Sequence, residues 1–346
     1  MVNSGDRKEK MTYAKAGVDI DLKSEGISAL VQKLNRVKRD RWKPIDLSGH
    51  FTGLIDFGDY ALSLCTDGVG TKLIIAESMG DWSTVGIDCV AMNVNDTICV
   101  GAEPIAFVDY IAVDKPRPEI LAQIGEGLQK GAEIANMTIV GGEVAVMPEI
   151  ISGLDLTGTC LGVVKKKNII TGENCKPGDV IIGLSSTGIH SNGLTLARKI
   201  FEETGINYGD FLEKLRRTIG EELLVPTRIY VNEILAALRR FKVHGMVNVT
   251  GGGFRNFLRL KEGLGFSIDK SMKAQPIFEI LQELGSVDDE EMYQTFNMGL
   301  GFALIVPKKS ANSIITHLGE GAKIVGQVDD SGVVSIPSLG LEYDRY

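Results

Sequence analysis

The sequence predicts a mixed α/β (α+β) protein built from two domains of similar size. Its 346 residues exceed the ~100–200 residues of a typical domain. Strand-like and helix-like segments alternate in both halves of the chain. A polar segment near residue 170 separates the two halves. We therefore expect a flexible polar tail at residues 1–10, an N-terminal domain at residues 11–170 and a C-terminal domain at residues 171–346.

The expected domain boundary combines charge with turn chemistry. Three lysines, Lys165–Lys167, precede a polar stretch at Thr171–Asp179 that contains a Pro-Gly pair. Both features are typical of a connection rather than of a helix or strand.

In the first half, apolar spacing distinguishes strands from helices. Alternating apolar residues at Tyr60–Thr66 predict a strand, and Asp67-Gly68 ends it. The pattern at Val85–Val100 predicts a helix that Gly101 and a following proline stop. The remaining predicted elements are a helix at Ser28–Val37, a strand at Ile105–Val113, a helix at Arg117–Ala135, a short strand at Thr138–Val140 that ends in Gly141-Gly142-Glu143, and a strand at Leu154–Val164.

The second half repeats this alternation without a strong internal sequence repeat. A long helix is predicted at Pro226–Phe241, because proline is favoured in the first turn of a helix. The predicted strands are Val180–Ser185, Val243–Val249, Leu264–Ile268, Leu300–Val306 and Lys323–Val328. The other predicted helices are Asn192–Glu203, Pro276–Leu284 and Ser310–Leu318.

Composition excludes several classes of function. The net charge of −8 and the lack of a long basic cluster argue against nucleic-acid binding. No apolar run reaches the ~18–20 residues of a membrane span, and the polar N-terminus does not look like a secretory signal. Five cysteines without a Cys-x-x-Cys pair indicate a reducing compartment. We expect a cytoplasmic protein with no nucleic-acid or membrane partner.

Three segments in the first half combine glycine with acidic residues. They are Thr66–Lys72, Gly86–Asp96 and Gly141–Glu143. Carboxylate and amide oxygens suit Mg²⁺, which proteins commonly share with nucleotide phosphates. On a helix Asp88 and Asn95 would lie within about 20° of one face. Any one of these acids is also an ordinary turn or cap residue, so the residues alone indicate phosphate–metal chemistry without naming a reaction.

Two loops in the second half leave backbone N–H groups available for an anion. Ser185–Gly193 lies between a predicted strand and a predicted helix, and its His190 could bind a phosphate or move a proton. Thr250–Gly253 could bring backbone close to a ligand. The alternative for the first loop is an ordinary helix cap, and the alternative for the second is a tight turn. Arg228 could contact a phosphate, or it could simply be an exposed arginine at the start of a helix. Neither a P-loop nor a Rossmann glycine motif occurs.

Read together, these residues closely resemble the phosphoribosylformylglycinamidine cyclo-ligase (aminoimidazole ribonucleotide synthetase) family. The resemblance extends over nearly the whole chain from Met11. The matching motifs are Tyr13-x-x-Ala16-Gly17-Val18-Asp19-Ile20, Thr66–Lys72, Gly86–Asp96, Gly101–Pro104, Val140–Glu143, Ser186–Gly193, Pro226–Tyr230, Thr250–Phe254 and Met292–Asn297.

The resemblance implies two α/β domains and a homodimer in which the N-terminal sheets pair into a β-barrel-like core. It implies ATP-driven ring closure of formylglycinamidine ribonucleotide to 5-aminoimidazole ribonucleotide in purine biosynthesis, with ATP and Mg²⁺. The implied ATP-binding residues are Asp67, Gly68, Gly70, Thr71, Lys72, Asn95, Gly141 and Gly142. The implied metal ligands are Asp67, Asp88, Asp96 and Glu143. The implied substrate-binding residues are His190, Ser191, Asn192, Gly193, Arg228, Gly251 and Gly252. Lys72 and His190 are the candidate catalytic residues.

Two departures and two rival hypotheses accompany the resemblance. The family usually has a second glutamate where this chain has Val146, so no acid acts there, and the segment Lys33–Arg39 differs from the usual bacterial form. The rivals are another ATP-using member of the same superfamily and a catalytically silent nucleotide-binding dimer. The intact acidic and glycine motifs argue against the silent dimer.

Overall fold

Two sheets organise the chain, and each is accompanied by helices. The computed structural model describes residues 11–12, 15–17, 20–34, 40–47, 49–270 and 272–346. The predicted mixed α/β fold is confirmed. The predicted tail at residues 1–10, and parts of the motif at 13–20 and of the segment at 33–39, lie outside the described residues.

The described residues form the following elements. The strands are β1 (Pro44–Ile45), β2 (Gly53–Phe57), β3 (Tyr60–Gly68), β4 (Glu103–Val113), β5 (Thr138–Val146), β6 (Leu154–Lys165), β7 (Val180–Ser185), β8 (Phe211–Leu212), β9 (Arg217–Thr218), β10 (Gly245–Asn248), β11 (Gly265–Ser267), β12 (Leu300–Val306), β13 (Ala322–Asp329), β14 (Val334–Ile336) and β15 (Leu341–Tyr343). The helices are α1 (Ile20–Lys33), α2 (Lys72–Met79), α3 (Val85–Ile98), α4 (Pro118–Ala135), α5 (Leu194–Thr204), α6 (Ile219–Leu223), α7 (Val231–Leu238), α8 (Pro276–Gly285), α9 (Asp289–Thr295) and α10 (Ala311–Leu318).

The first sheet has the strand order β1-β2-β3-β6-β4-β5. Only β4 and β5 are parallel, because α4 carries the chain across between them. Helix α3 packs against β3, β6 and α4. Almost every residue of α3 is buried, since α7 of the second half also packs against it. The helices therefore cover one face of this sheet.

Strand pairing places residues of four strands in single rows across the first sheet. Asp67 of β3 pairs with Gly158 of β6, which pairs with Asp109 of β4, which pairs with Gly142 of β5. The next row contains Gly68, Thr157, Tyr110 and Glu143. Because adjacent residues of a strand face opposite sides of a sheet, the two rows point to opposite faces.

The second sheet has the order β10-β12-β7-β13-β11-β14-β15. All seven residues of β12 are buried, as expected for a strand covered on both faces. Helix α10 packs on β7 and β13. Strands β8 and β9 form a separate two-stranded sheet. No helix within the described residues is long and apolar enough to cross a membrane.

The structure differs from the sequence-based expectations at four elements. The long helix predicted at Pro226–Phe241 is wrong, because α7 spans only Val231–Leu238 and the preceding residues contact the first half of the chain instead. Strand β5 continues through the Gly-Gly-Glu segment to Val146 rather than ending before it. Helix α2, which begins at Lys72, was not predicted. The predicted helix at Ser28–Val37 corresponds to α1 at Ile20–Lys33.

Candidate active site

The glycine-rich loop joins β3 directly to α2. The Asp67 Oδ1 accepts a hydrogen bond of 2.7 Å from the Gly68 N–H. Gly70 has a φ of 70°, which favours glycine because a Cβ is strained in that region. A Cβ at Gly70 would meet no atom within 4 Å, so the conformation rather than crowding requires glycine there. The loop thus presents open backbone at the start of α2.

Lys72, the first residue of α2, is completely buried. Its Nζ lies 2.8 Å from Asp88 Oδ2 and donates a 2.7 Å hydrogen bond to the Val225 carbonyl. Burial lowers the pKa of Lys72, and the Asp88 charge opposes that shift. Lys72 therefore joins α2 to α3 and to the second half of the chain.

Asp88 is equally buried and is surrounded by donors from the second half. Its Oδ1 accepts hydrogen bonds from the Thr227 N–H at 2.7 Å and the Thr227 hydroxyl at 2.6 Å. The Ser191 hydroxyl donates to the same oxygen at 3.1 Å. This geometry favours an anchor between the two halves over a metal ligand. The roles predicted for Lys72 at ATP and for Asp88 at a metal stay predictions.

Asn95, one turn before the end of α3, is also committed to the second half. Its side-chain amide donates to the Arg228 carbonyl at 2.8 Å, and its Oδ1 accepts from the Tyr230 N–H at 3.0 Å. The side chain is buried. Both the amide nitrogen and the oxygen of Asn95 thus bind the backbone of the segment before α7. The predicted role of Asn95 in ATP binding remains a prediction.

Asp96 has a different environment. Its Oδ1 accepts a 2.8 Å hydrogen bond from Asn248, and its Oδ2 lies 4.0 Å from Cys65 Sγ. The pKa of Asp96 is raised to about 7, mainly by burial and also by the negative charge of Asp67, while the hydrogen bond from Asn248 opposes the shift. Two carboxylates that repel each other in this way are stabilised by a cation between them.

The residues that could hold a metal are few. No group of three or more His, Cys, Asp or Glu side chains with metal-binding geometry occurs among the residues described. Asp67 and Asp96 are the two acids whose oxygens could serve as ligands. This set fits Mg²⁺, which usually takes one or two protein carboxylates and completes its shell with phosphate and water.

Glu143 does not share a face of the sheet with Asp67. The pairing rows place Asp67 on the face that α3 covers and Glu143 on the opposite face. Glu143 and the neighbouring Gly141 and Gly142 are exposed. Within one chain, Glu143 and Asp67 are therefore not arranged around one ion.

Sequence reasoning missed Asp109. Its carboxylate lies over Gly142, where a Cβ would come within 2.5 Å of the Asp109 Oδ1. Asp109 is in the same row as Asp67, and burial raises its pKa. No motif singled it out, because an isolated acid in an apolar strand carries no spacing signal.

His190 is buried in the loop between β7 and α5 and has a φ of 66°. Its Nε2 accepts a 3.1 Å hydrogen bond from the Thr187 N–H. Burial lowers its pKa to about 3, and the positive charges of Lys72 and Arg228 act in the same direction. The ring is neutral at neutral pH and shapes its own loop, so its proton-transfer role stays a prediction.

The other predicted substrate residues surround this loop. Asn192 lies close to Gly251, where a Cβ would meet the Asn192 Oδ1 at 2.8 Å. A Cβ at Gly193 would overlap the Phe296 ring, and one at Gly252 would approach Tyr346 to 2.7 Å. Close packing therefore requires glycine at these positions.

Arg228 is engaged within the second half of the chain. It donates to both carboxylate oxygens of Glu233 at 3.1 and 3.0 Å, and to the Ser185 carbonyl and hydroxyl at 3.0 Å each. Its predicted contact with a substrate phosphate would require these bonds to rearrange, and it remains a prediction.

Comparison with known proteins places the whole chain in one family. The family model described as "AIR synthase related protein, N-terminal domain" matches residues 49–164, and that of the C-terminal domain matches residues 176–337. A phosphoribosylformylglycinamidine cyclo-ligase of Methanosarcina barkeri is 51% identical over 327 residues, covering 94% of this chain and 97% of the relative. The Methanococcus vannielii protein of the same name is 49% identical over 325 residues, covering 93% of each.

The chain belongs to the phosphoribosylformylglycinamidine cyclo-ligase family. Membership of the cyclo-ligase family makes it an enzyme of the ligase class, as the sequence predicts.

Solved structures share the fold of this family at low identity. A structure titled "AaThiL complexed with AMPPCP and TMP" has a TM-score of 0.66 at 14% identity and covers 96% of this chain and 97% of that one. The HypE-HypF complex has a TM-score of 0.62 at 20% identity, covering 83% and 89%. A structure titled "T. maritima PurL complexed with ADP" has a TM-score of 0.56 at 15% identity and covers 85% of this chain and 44% of that one.

Proposed function

We propose that the chain catalyses ATP-dependent ring closure of formylglycinamidine ribonucleotide to 5-aminoimidazole ribonucleotide, a step of purine biosynthesis. The observation that carries the proposal is the 51% identity to a cyclo-ligase over 94% of the chain. In this reaction the formyl oxygen attacks the γ-phosphate of ATP and ADP leaves. A substrate nitrogen then attacks the activated carbon, and the oxygen departs with phosphate.

The described geometry supports a nucleotide site at the start of α2. Gly70 is exposed, and a Cβ there would meet no atom within 4 Å, so its backbone is accessible to a phosphate. Backbone N–H groups at the start of a helix bind such anions well. Asp67 and Asp96 would hold Mg²⁺, which neutralises phosphate charge when bound. Phosphoryl transfer needs mainly positioning and charge neutralisation, which this set of residues supplies.

The Lys72–Asp88 pair has a positioning role in this proposal. It ties α2 and α3 to Thr227 and Ser191, and Ser191 directly follows His190. The predicted ATP loop is thereby fixed relative to the predicted substrate loop. Proximity of the two reactants is the main requirement of a two-substrate reaction.

We also propose that the chain forms a homodimer through the uncovered face of the first sheet. Large apolar side chains are exposed there, among them Leu64 at 53%, Tyr110 at 41% and Val108 at 39%. A contiguous apolar sheet face is uncommon on a monomer and typical of an interface. Glu143 lies on this face, so a partner chain would bring it next to the partner's own surface.

We further propose that the reaction takes place in the cytoplasm. All five cysteines are free and buried, which agrees with a reducing compartment.

One assay tests the reaction. Purified protein is mixed with ATP, Mg²⁺ and formylglycinamidine ribonucleotide, and ADP and aminoimidazole ribonucleotide are measured. Stoichiometric formation of both supports the proposal. ATP binding without substrate-dependent product would indicate the silent nucleotide-binding dimer, and phosphorylation of a different acceptor would indicate another ATP-using member of the superfamily.

Sedimentation of the wild type and of Leu64→Asp tests the dimer. We expect a dimer for the wild type and a monomer for the variant, because a charge would enter the apolar interface. A monomeric wild-type protein would contradict the proposed dimer and would have no bearing on the proposed reaction.

A further inference from the structure

A separate cleft of about 650 Å³ lies between the two halves of the chain. One wall is formed by strand ends of the first sheet, including Tyr60 and Glu103. The floor is the connecting segment at Lys167–Ile170, and the other wall is the end of α7 with the residues up to Val243. Its volume is within the ~300–1,000 Å³ range of small-molecule sites. None of its lining residues belongs to the predicted ATP or substrate set.

The charge of the cleft is opposite to that of the whole protein. Four cations line it, namely Lys165, Lys167, Arg239 and Lys242, against one carboxylate, Glu103. The chain as a whole has a net charge of −8. Among the ion pairs between described residues, none involves these four cations. A local excess of unpaired cations in an acidic protein attracts an anion.

The remaining lining residues indicate the rest of the ligand. Leu235, Leu238 and Phe241 of the α7 wall supply an apolar surface. The amides of Asn168 and Asn174, with Glu103, supply donors and acceptors that suit hydroxyl groups. Lysine and arginine bind phosphate oxygens, arginine through two parallel hydrogen bonds.

The floor of the cleft is fixed to the first half of the chain. The Ile170 N–H donates to the Val100 carbonyl at 3.1 Å, and the Lys166 N–H donates to the Asp59 carbonyl at 3.1 Å. Arg239 and Lys242 follow α7, in the second half. A ligand that contacts both Lys167 and Arg239 would therefore connect the two halves outside the candidate active site.

We propose that this cleft binds a small phosphate monoester with a hydroxylated, partly apolar body, of the nucleoside monophosphate class. The cations hold the phosphate, the amides and Glu103 contact the sugar hydroxyls, and the α7 wall packs against the base. The cleft lies at the strand ends of the first sheet, next to the sheet face proposed for dimerisation. Because a partner chain would lie close to it, the test uses the full chain in the oligomeric state that it adopts in solution.

Hydrogen exchange measured by mass spectrometry tests this proposal with adenosine monophosphate as the probe. We expect slower exchange in peptides covering residues 165–170 and 235–243. The double variant Arg239→Ser/Lys242→Ser should weaken the concentration dependence of that protection at least tenfold. The matched control Lys308→Ser/Lys309→Ser removes two exposed lysines elsewhere and should leave it unchanged.

Inorganic phosphate and ribose 5-phosphate distinguish the parts of the ligand. We expect weaker protection from both than from adenosine monophosphate, because neither reaches the apolar wall. Equal protection by inorganic phosphate would overturn the assignment to a nucleoside monophosphate. No protection at these peptides, or protection that survives the double variant, would overturn the site. The readout is local, so it is independent of whether the protein turns over formylglycinamidine ribonucleotide.

Discussion

Helix α3 carries two acids, Asp88 in its first turn and Asp96 near its last. Asp88 contacts Lys72, Thr227 and Ser191, so its charge is matched by a cation and several donors. Asp96 accepts a hydrogen bond from one amide, and its pKa is raised to about 7, mainly by burial and also by the negative charge of Asp67. Both acids contact the second half of the chain, but only Asp88 is neutralised by a lysine there. We therefore propose that Asp88 is an anchor between the halves and that Asp96 is a ligand for a cation.

The largest expected effect comes from breaking the buried ion pair between Lys72 and Asp88. Lys72→Met leaves Asp88 buried without its cation, and we expect a loss of about 3–5 kcal/mol in the free energy of unfolding. Chemical denaturation measures it. The double variant Lys72→Met/Asp88→Asn should recover much of the loss, because Thr227 can still donate to the amide oxygen of the substituted side chain. An unchanged midpoint for Lys72→Met would show that the pair does not anchor the halves.

A smaller effect of opposite sign is expected at Asp96. The pKa of Asp96 is 3.8 when unperturbed and about 7 in the folded protein. Between these two pH values the folded state keeps a proton on Asp96 that the unfolded state has lost. The contribution of Asp96 to stability therefore falls as pH rises from about 4 to 7 and is constant above. Asp96→Asn should remove this dependence and stabilise the protein at pH 8.

Thermal unfolding across this pH range, with and without Mg²⁺, measures the effect of Asp96. The wild type at pH 8 should gain stability from Mg²⁺ and the variant should not, while turnover of the variant should fall at least tenfold. Parallel profiles of thermal stability against pH, with and without Mg²⁺, for the wild type and Asp96→Asn would show that Asp96 is not a metal ligand.

The smallest stability effect is expected in the glycine loop. Gly70 and Gly58 have nearly the same φ, 70° and 71°, and a Cβ at either would meet no atom within 4 Å. Gly70→Ala and Gly58→Ala should therefore each cost about 1 kcal/mol in stability. Only Gly70→Ala should weaken ATP binding, measured by calorimetry. Equal ATP affinities of the Gly70→Ala and Gly58→Ala variants would show that the glycine loop does not contact the nucleotide.

The sequence predicts most elements whose periodicity is strong. Helix α4 at Pro118–Ala135 and strand β6 at Leu154–Lys165 agree with the predictions to within one residue at each end. The helix predicted from Pro226 failed because tertiary contacts determine that segment: Thr227 bonds Asp88, and the Tyr230 N–H bonds Asn95. Local spacing contains no information about such long-range partners.

The candidate site shows the same limit. Motifs locate Asp67, Asp88, Asp96 and Glu143, but strand register decides that Glu143 faces away from Asp67. Packing between the halves likewise decides that Lys72 is buried against Asp88. Resemblance to a family identifies which residues matter, whereas distance and burial indicate what each of them does.

Manganese binding in the presence of ATP, followed by electron paramagnetic resonance, tests the distinction between the two acids most directly. Mn²⁺ substitutes for Mg²⁺ at oxygen ligands. We expect Asp96→Asn to weaken Mn²⁺ binding at least tenfold and the folded double variant Lys72→Met/Asp88→Asn to retain an affinity within about threefold of wild type. Loss of Mn²⁺ binding in the double variant, with wild-type affinity in Asp96→Asn, would contradict the account.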